Sequence, residues 1–136
     1  MLDHLCITVS DLAQSKRFYA RALAPLGYRM TIDRAEGVGF GVAAGALRSR
    51  DPDGEFWIAP GTPRPELVHF AFAAKTHADV DAFHAEAVAA GGEDNGAPGL
   101  RVRYHPHYYA AFILDPDRYN IEAVCHDAAR HSDSKH

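Results

Sequence analysis

The chain repeats itself, and each copy of the repeat opens on a histidine. His4 begins the run His4-Leu5-Cys6-Ile7-Thr8-Val9, and His69, 65 positions later, begins His69-Phe70-Ala71-Phe72-Ala73-Ala74. The same shift places Phe18 on Phe83, Ala20 on Ala85, Ala22 on Ala87, Leu23 on Val88, Ala24 on Ala89 and Gly27 on Gly92. Self-similarity over most of a chain predicts a pseudo-symmetric fold. A histidine at the same point of both copies predicts a metal site shared between them.

The local patterns give each copy the same order of elements. Leu2 to Val9 reads as a strand. Ser10 or Asp11 offers an N-cap for a helix running to about Leu23, with Leu12, Tyr19, Leu23 and Leu26 at helical spacing and Pro25 and Gly27 ending it. Strand-like pieces follow around Tyr28–Asp33, Gly37–Ala43 and Glu55–Ile58, the last two separated by the turn Asp51-Pro52-Asp53-Gly54. Pro60, Pro63 and Pro65 make the next stretch a linker. The pattern then restarts with a strand over Leu67–Ala73 and a helix opened by Thr76 and Asp79, carrying Val80, Phe83 and Ala87 and ending at Gly91-Gly92. Asn95 to Gly99 reads as a loop. Leu100–Tyr104, Tyr108–Leu114 and Asn120–Cys125 read as strands, and Asp115-Pro116-Asp117 repeats the earlier turn at an offset of 64. The expected fold is α+β: two βαβββ modules forming a curved mixed sheet, with helices on the outer face and a concave face left open.

Side chains alternate across a strand. Leu5, Ile7 and Val9 therefore share one face of the first strand, and Val68, Phe70 and Phe72 share one face of its counterpart. His4, Cys6 and Thr8 share the opposite face of the first, and His69, Ala71 and Ala73 that of the second. Bulky groups away from each histidine predict packing on the helices. Small groups beside it leave room for a ligand. The last strand, Asn120-Ile121-Glu122-Ala123-Val124, sets one carboxylate among apolar neighbours, where burial is costly unless the charge is paired or bound to a metal. Two imidazoles and a carboxylate are the facial donor set of non-haem iron and also suit manganese and other divalent ions. Open positions on such an ion admit substrate or water.

With 136 residues the chain suffices for a single domain with a sizeable core, read here as 1–126 (modules about 1–59 and 66–126) followed by a polar tail, 127–136. A net charge of −4 gives no reason to expect nucleic acid or an anionic membrane as partner. No apolar run approaches a bilayer span. Strand-like sequence from the outset leaves no room for a signal peptide, and Cys6 and Cys125 alone make no disulfide framework, so the expected location is cytoplasmic. Of the nine histidines, His77, His126, His131 and His136 read as surface or tail positions. Gly37-Val38-Gly39-Phe40-Gly41 lacks the following helix and later acidic residue of a dinucleotide fingerprint, and reads as a bent hairpin strand over the cavity.

The paired modules, the histidine on each first strand and the closing run Asp115-Pro116-Asp117-Arg118-Tyr119-Asn120-Ile121-Glu122-Ala123-Val124 resemble the vicinal oxygen chelate superfamily, which groups glyoxalases, bleomycin resistance proteins and extradiol dioxygenases. Phe18-Tyr19-Ala20-Arg21-Ala22-Leu23 followed by Leu26-Gly27-Tyr28 is similar to that family's first helix. The resemblance runs from Leu2 to about Cys125. It implies metal ligands at His4, His69 and Glu122, a divalent ion (Fe, Mn, Zn or Ni), a small oxygenated substrate chelated by that ion, and a homodimer. Glyoxalase I members add a fourth ligand, which the repeat maps to Trp57 or Ile58; neither can ligate, so lactoylglutathione lyase activity is disfavoured. Arg118 stands where the family usually has glycine. Phe112 stands near the point where extradiol dioxygenases often carry a catalytic tyrosine, and Tyr108 and Tyr109 are close but not equivalent. His105 and His107, just before the same strand, are candidates for an acid/base group beside Glu122 because imidazole titrates near neutral pH. The alternative is a metal-free protein that sequesters a small molecule, like the bleomycin resistance members.

Overall fold

The computed structural model describes residues 2–128; of the polar tail and its histidines, 129–136 lie outside the described residues. The order is β1 (Leu5–Val9), α1 (Leu12–Ala22), β2 (Tyr28–Arg34), β3 (Gly37–Val42), β4 (Phe56–Pro60), β5 (His69–Ala73), α2 (His77–Ala89), β6 (Glu93–Leu100), β7 (Tyr109–Leu114) and β8 (Asn120–Cys125), with short 3-10 turns at Ala24–Leu26 and Pro65–Leu67. This is the expected pair of βαβββ modules. Each has its own four-stranded mixed sheet, ordered β1-β4-β3-β2 in the first and β5-β8-β7-β6 in the second. β1 and β5 are edge strands, parallel to β4 and β8 respectively, and the remaining pairings are antiparallel.

Both helices start where the capping chemistry places them. The Asp11 carboxylate accepts the Gln14 N–H at 3.1 Å, and the Thr76 hydroxyl oxygen accepts the Asp79 N–H at 3.0 Å. Each bond satisfies a donor that the first helical turn leaves unpaired. Gly27, at φ 91°, closes the first module's helical segment in the left-handed region, where a side chain would be strained. α1 packs on β4 and on α2, and α2 packs on β6, β7 and β8. Phe18, Tyr19 and Leu23 from α1, Val80 and Phe83 from α2, and Ile58, Phe72, Ile113 and Ile121 from the sheets form one core shared by both modules. The Phe56 ring lies 4.9 Å from Tyr19, 5.5 Å from Phe70 and 5.2 Å from Phe72, centroid to centroid, and so sits where the modules meet.

One expectation fails at β6. Asn95 to Gly99 belongs to a strand, and of the residues read as strand from the sequence, 102–104 form a turn. β6 is an edge strand paired only with β7, and its register shifts between Asp94 and Gly96 and again between Gly96 and Gly99. An irregular edge tolerates the Gly and Pro98 that would break a central strand. No helix among the described residues is long and apolar enough to cross a membrane.

Candidate metal centre

The side chains beside each histidine face outward, as alternation requires. Ile7, Val9 and Phe72 are buried, whereas His4, Cys6, His69, Ala71 and Ala73 are exposed. In the second module β5 runs beside β8 with His69 opposite Asn120 and Ala71 opposite Glu122. That register brings the His69 ring over Glu122 and sets its Nε2 3.0 Å from Glu122 Oε1. Glu122 is only 2% exposed.

The protons of this pair decide what it can do. His69 Nδ1 lies 2.8 Å from the Asn120 carbonyl oxygen. A carbonyl only accepts, so Nδ1 carries the hydrogen and a neutral ring turns the Nε2 lone pair toward Glu122. A carboxylate also only accepts. Two acceptors at this separation repel unless a proton or a metal cation lies on them. Two ligand bonds of about 2.1 Å meeting at the right angle of an octahedral site span about 3.0 Å, a spacing that a hydrogen bond from a protonated imidazole shares. The donor set therefore fits a divalent metal at two of its positions. The Asn120 carbonyl is the kind of outer partner that fixes the tautomer of a ligating histidine.

Other groups close around the pair. The Tyr108 hydroxyl donates to Glu122 Oε2. Burial, then the Glu122 carboxylate, push the Tyr108 hydroxyl well above the ordinary tyrosine range, so it remains a donor. Phe112, opposite Glu122 on β7, stacks against the His69 ring at 6.1 Å, and the Arg101 guanidinium lies 5.4 Å over the Phe112 ring. Tyr108 and Phe112 share this face with Glu122; the resemblance places Phe112 near it, whereas the Tyr108–Glu122 hydrogen bond has no counterpart in the sequence patterns.

The remaining candidates lie elsewhere. His4 is exposed, with Nδ1 2.8 Å from Asp3 Oδ1, and lines a cavity of about 420 Å³ on the first module together with Cys6, Ile32, Arg34 and Trp57. Among the described residues no group of three or more His, Cys, Asp or Glu side chains comes together as a metal site. His105 Nδ1 accepts the His107 N–H at 3.1 Å, so its Nε2 carries the hydrogen and donates to His126 Nδ1 at 2.8 Å. His105 also lies 5.4 Å from the Tyr108 ring, whereas His107 is exposed on the loop.

The first module shows what stands in the fourth position. Cys6 pairs with Trp57 as Ala71 pairs with Glu122, so Trp57, not Ile58, is the equivalent of Glu122. Its indole Nε1 donates to the Gly54 carbonyl at 3.1 Å. Gly39 holds the place of Phe112: a Cβ there would stand 3.0 Å from the indole and 2.7 Å from the Asp53 carbonyl oxygen. Indole and glycine on one module thus replace carboxylate and phenyl on the other.

A family model described as Glyoxalase/Bleomycin resistance protein/Dioxygenase superfamily matches residues 1–123. A glyoxalase/bleomycin resistance protein from Albidiferax ferrireducens is similar in structure with a TM-score of 0.73 at 29% identity, over 90% of this chain and 96% of that one. A family enzyme from Burkholderia phytofirmans matches with a TM-score of 0.65 at 19% identity, over 91% and 97%. The genomically encoded fosfomycin resistance protein FosX from Listeria monocytogenes matches with a TM-score of 0.64 at 18% identity, over 92% of each chain. At those two identities the likeness is one of fold. No curated protein sequence matches this chain significantly.

Proposed function

Because the chain belongs to the glyoxalase/bleomycin resistance protein/dioxygenase superfamily, we propose that it is a metal-dependent enzyme acting on a small oxygenated substrate, with His4, His69 and Glu122 as the metal ligands. The observation that carries this reading is the approach of His69 Nε2 to the buried Glu122 Oε1 at 3.0 Å, a contact that a shared proton or a bound metal cation satisfies and that sets an imidazole and a carboxylate side by side as ligands. When bound, the ion supplies Lewis acidity, fixing adjacent substrate oxygens and holding the negative charge that develops on them.

His4 comes from a second copy. β1 and β5 are both edge strands, and the faces carrying His4 and His69 are both exposed within one chain. A two-fold pairing that sets β1 of one copy beside β5 of the other makes the continuous curved sheet that the repeat predicts, and carries His4 to the His69–Glu122 pair. Ala71 and Ala73 leave the substrate room above β5, and Trp57, which lines the same cavity as His4, arrives with it from the second copy to wall the opposite side. With Trp57 in place of a fourth ligand, three protein donors leave more of the ion open than the four-ligand site of lactoylglutathione lyase.

The test is the divalent metal content of tag-free protein after reconstitution, compared with Glu122→Ala. The expected result is stoichiometric metal in the wild type and loss of it in the variant. Wild-type protein that retains none overturns the reading in favour of metal-free binding of a small molecule.

A further inference from the structure

Glu122 has two oxygens, and the structure divides them. Oε1 faces His69, while Oε2 takes the Tyr108 hydroxyl hydrogen. The Glu122 side chain is 3% exposed, so water does not compete freely for either oxygen. Tyr108 is itself held in place by rings on three sides: Tyr104 at 4.8 Å, His105 at 5.4 Å and His126 at 5.3 Å, all edge-on. The His105–His126 hydrogen bond joins two of those rings, and the His107 N–H fixes the His105 tautomer. In the first module the repeat puts Ala43 at the place of Tyr108, so this arrangement belongs to the carboxylate-bearing module alone.

We infer that Tyr108 is a positioning residue that makes Glu122 a one-oxygen ligand, and that the Tyr104–His105–His126 ring cluster exists to hold Tyr108 there. The inference rests on the metal reading above. A carboxylate free at both oxygens can swing to chelate an ion with both and fill a position that substrate needs. A hydroxyl bound to Oε2 removes that option and orients Oε1 at the ion. This also gives His105 a role distinct from acid/base chemistry: its two nitrogens are both engaged, and its ring is a buttress.

Co²⁺, whose visible absorption reports coordination number, is titrated into full-length wild type, Tyr108→Phe and Tyr104→Leu. Tyr108→Phe keeps the ring and deletes only the hydroxyl, so its fold is expected to persist, as far-ultraviolet circular dichroism will check. The expected outcome is a loss of Co²⁺ affinity of about 10- to 100-fold in Tyr108→Phe. Its bound-metal spectrum is also weaker, as a second carboxylate oxygen raises the coordination number. Tyr104→Leu, which leaves the hydroxyl but loosens its support, shows the same spectral change in smaller measure. Wild-type affinity and spectrum in Tyr108→Phe overturn the inference while leaving the metal reading intact. Wild-type protein that binds no Co²⁺ overturns the metal reading itself, and the inference with it.

Discussion

Ser15 lies within α1 with 1% of its surface exposed, and its hydroxyl has no hydrogen-bond partner among the described residues. A buried hydroxyl without a partner forfeits its hydration and gains nothing in return. Ser15→Ala removes that cost and substitutes the better helix former. The expected gain is about 1 kcal/mol, read as a higher urea midpoint; a loss of stability contradicts the assigned geometry. Arg118 is the other residue under local strain. It is the one non-glycine with positive φ among the described residues, at 71°, in the turn position where Gly54 sits at 109° in the first module. The departure from glycine at Arg118 is legible in the sequence, because the two Asp-Pro-Asp turns align. The Tyr108–Glu122 bond is not legible, because it joins a loop to a strand across 14 positions with no periodicity to announce it.

At the scale of elements, alternation and capping were sufficient for β1, β5, α1 and α2, since each has one face that must be buried and a polar residue that starts it. They were insufficient for β6, where Gly96, Pro98 and Gly99 lie on a bulged edge whose pairing depends on β7 and not on its own side chains. The contacts that bind the modules to each other also lay beyond sequence patterns. The Tyr119 hydroxyl donates to the Thr8 carbonyl at 2.7 Å and accepts the Arg64 N–H at 2.9 Å. The Tyr19 hydroxyl of α1 donates to Asp115 Oδ2 at 2.5 Å, while Asp115 Oδ1 accepts the N–H groups of Asp117 and Tyr119 at 2.9 Å each. Burial raises the Asp115 carboxyl above its ordinary value of 3.8, against the opposing pull of the Tyr19 hydroxyl and the two N–H groups. The folded state therefore holds this proton more tightly than the unfolded chain does. Stability falls as pH rises from about 3.8 through the raised folded value, and levels off above it. Relative to Asp115→Asn, wild type should lose stability across weakly acidic pH in urea unfolding; a relative gain over that window contradicts the assignment.

At the scale of the whole molecule, the internal repeat predicted the pair of modules and the equivalence of His4 and His69, but not which copies of the modules meet. That choice depends on which faces the core consumes. Here the helices and the apolar sheet faces of both modules close on one core, so the two histidine-bearing faces are left outward on separate sheets. The central claim is that the metal site forms between two copies, with His4 from one and His69 and Glu122 from the other. Mixing two variants tests it directly. His4→Ala and Glu122→Ala should each bind no metal tightly when alone. Refolded together in equal amounts, half of the dimers are mixed, and each mixed dimer contains one intact site, so metal binding returns to about a quarter of the sites. A mixture that binds no more metal than the separate variants contradicts assembly of the site between copies.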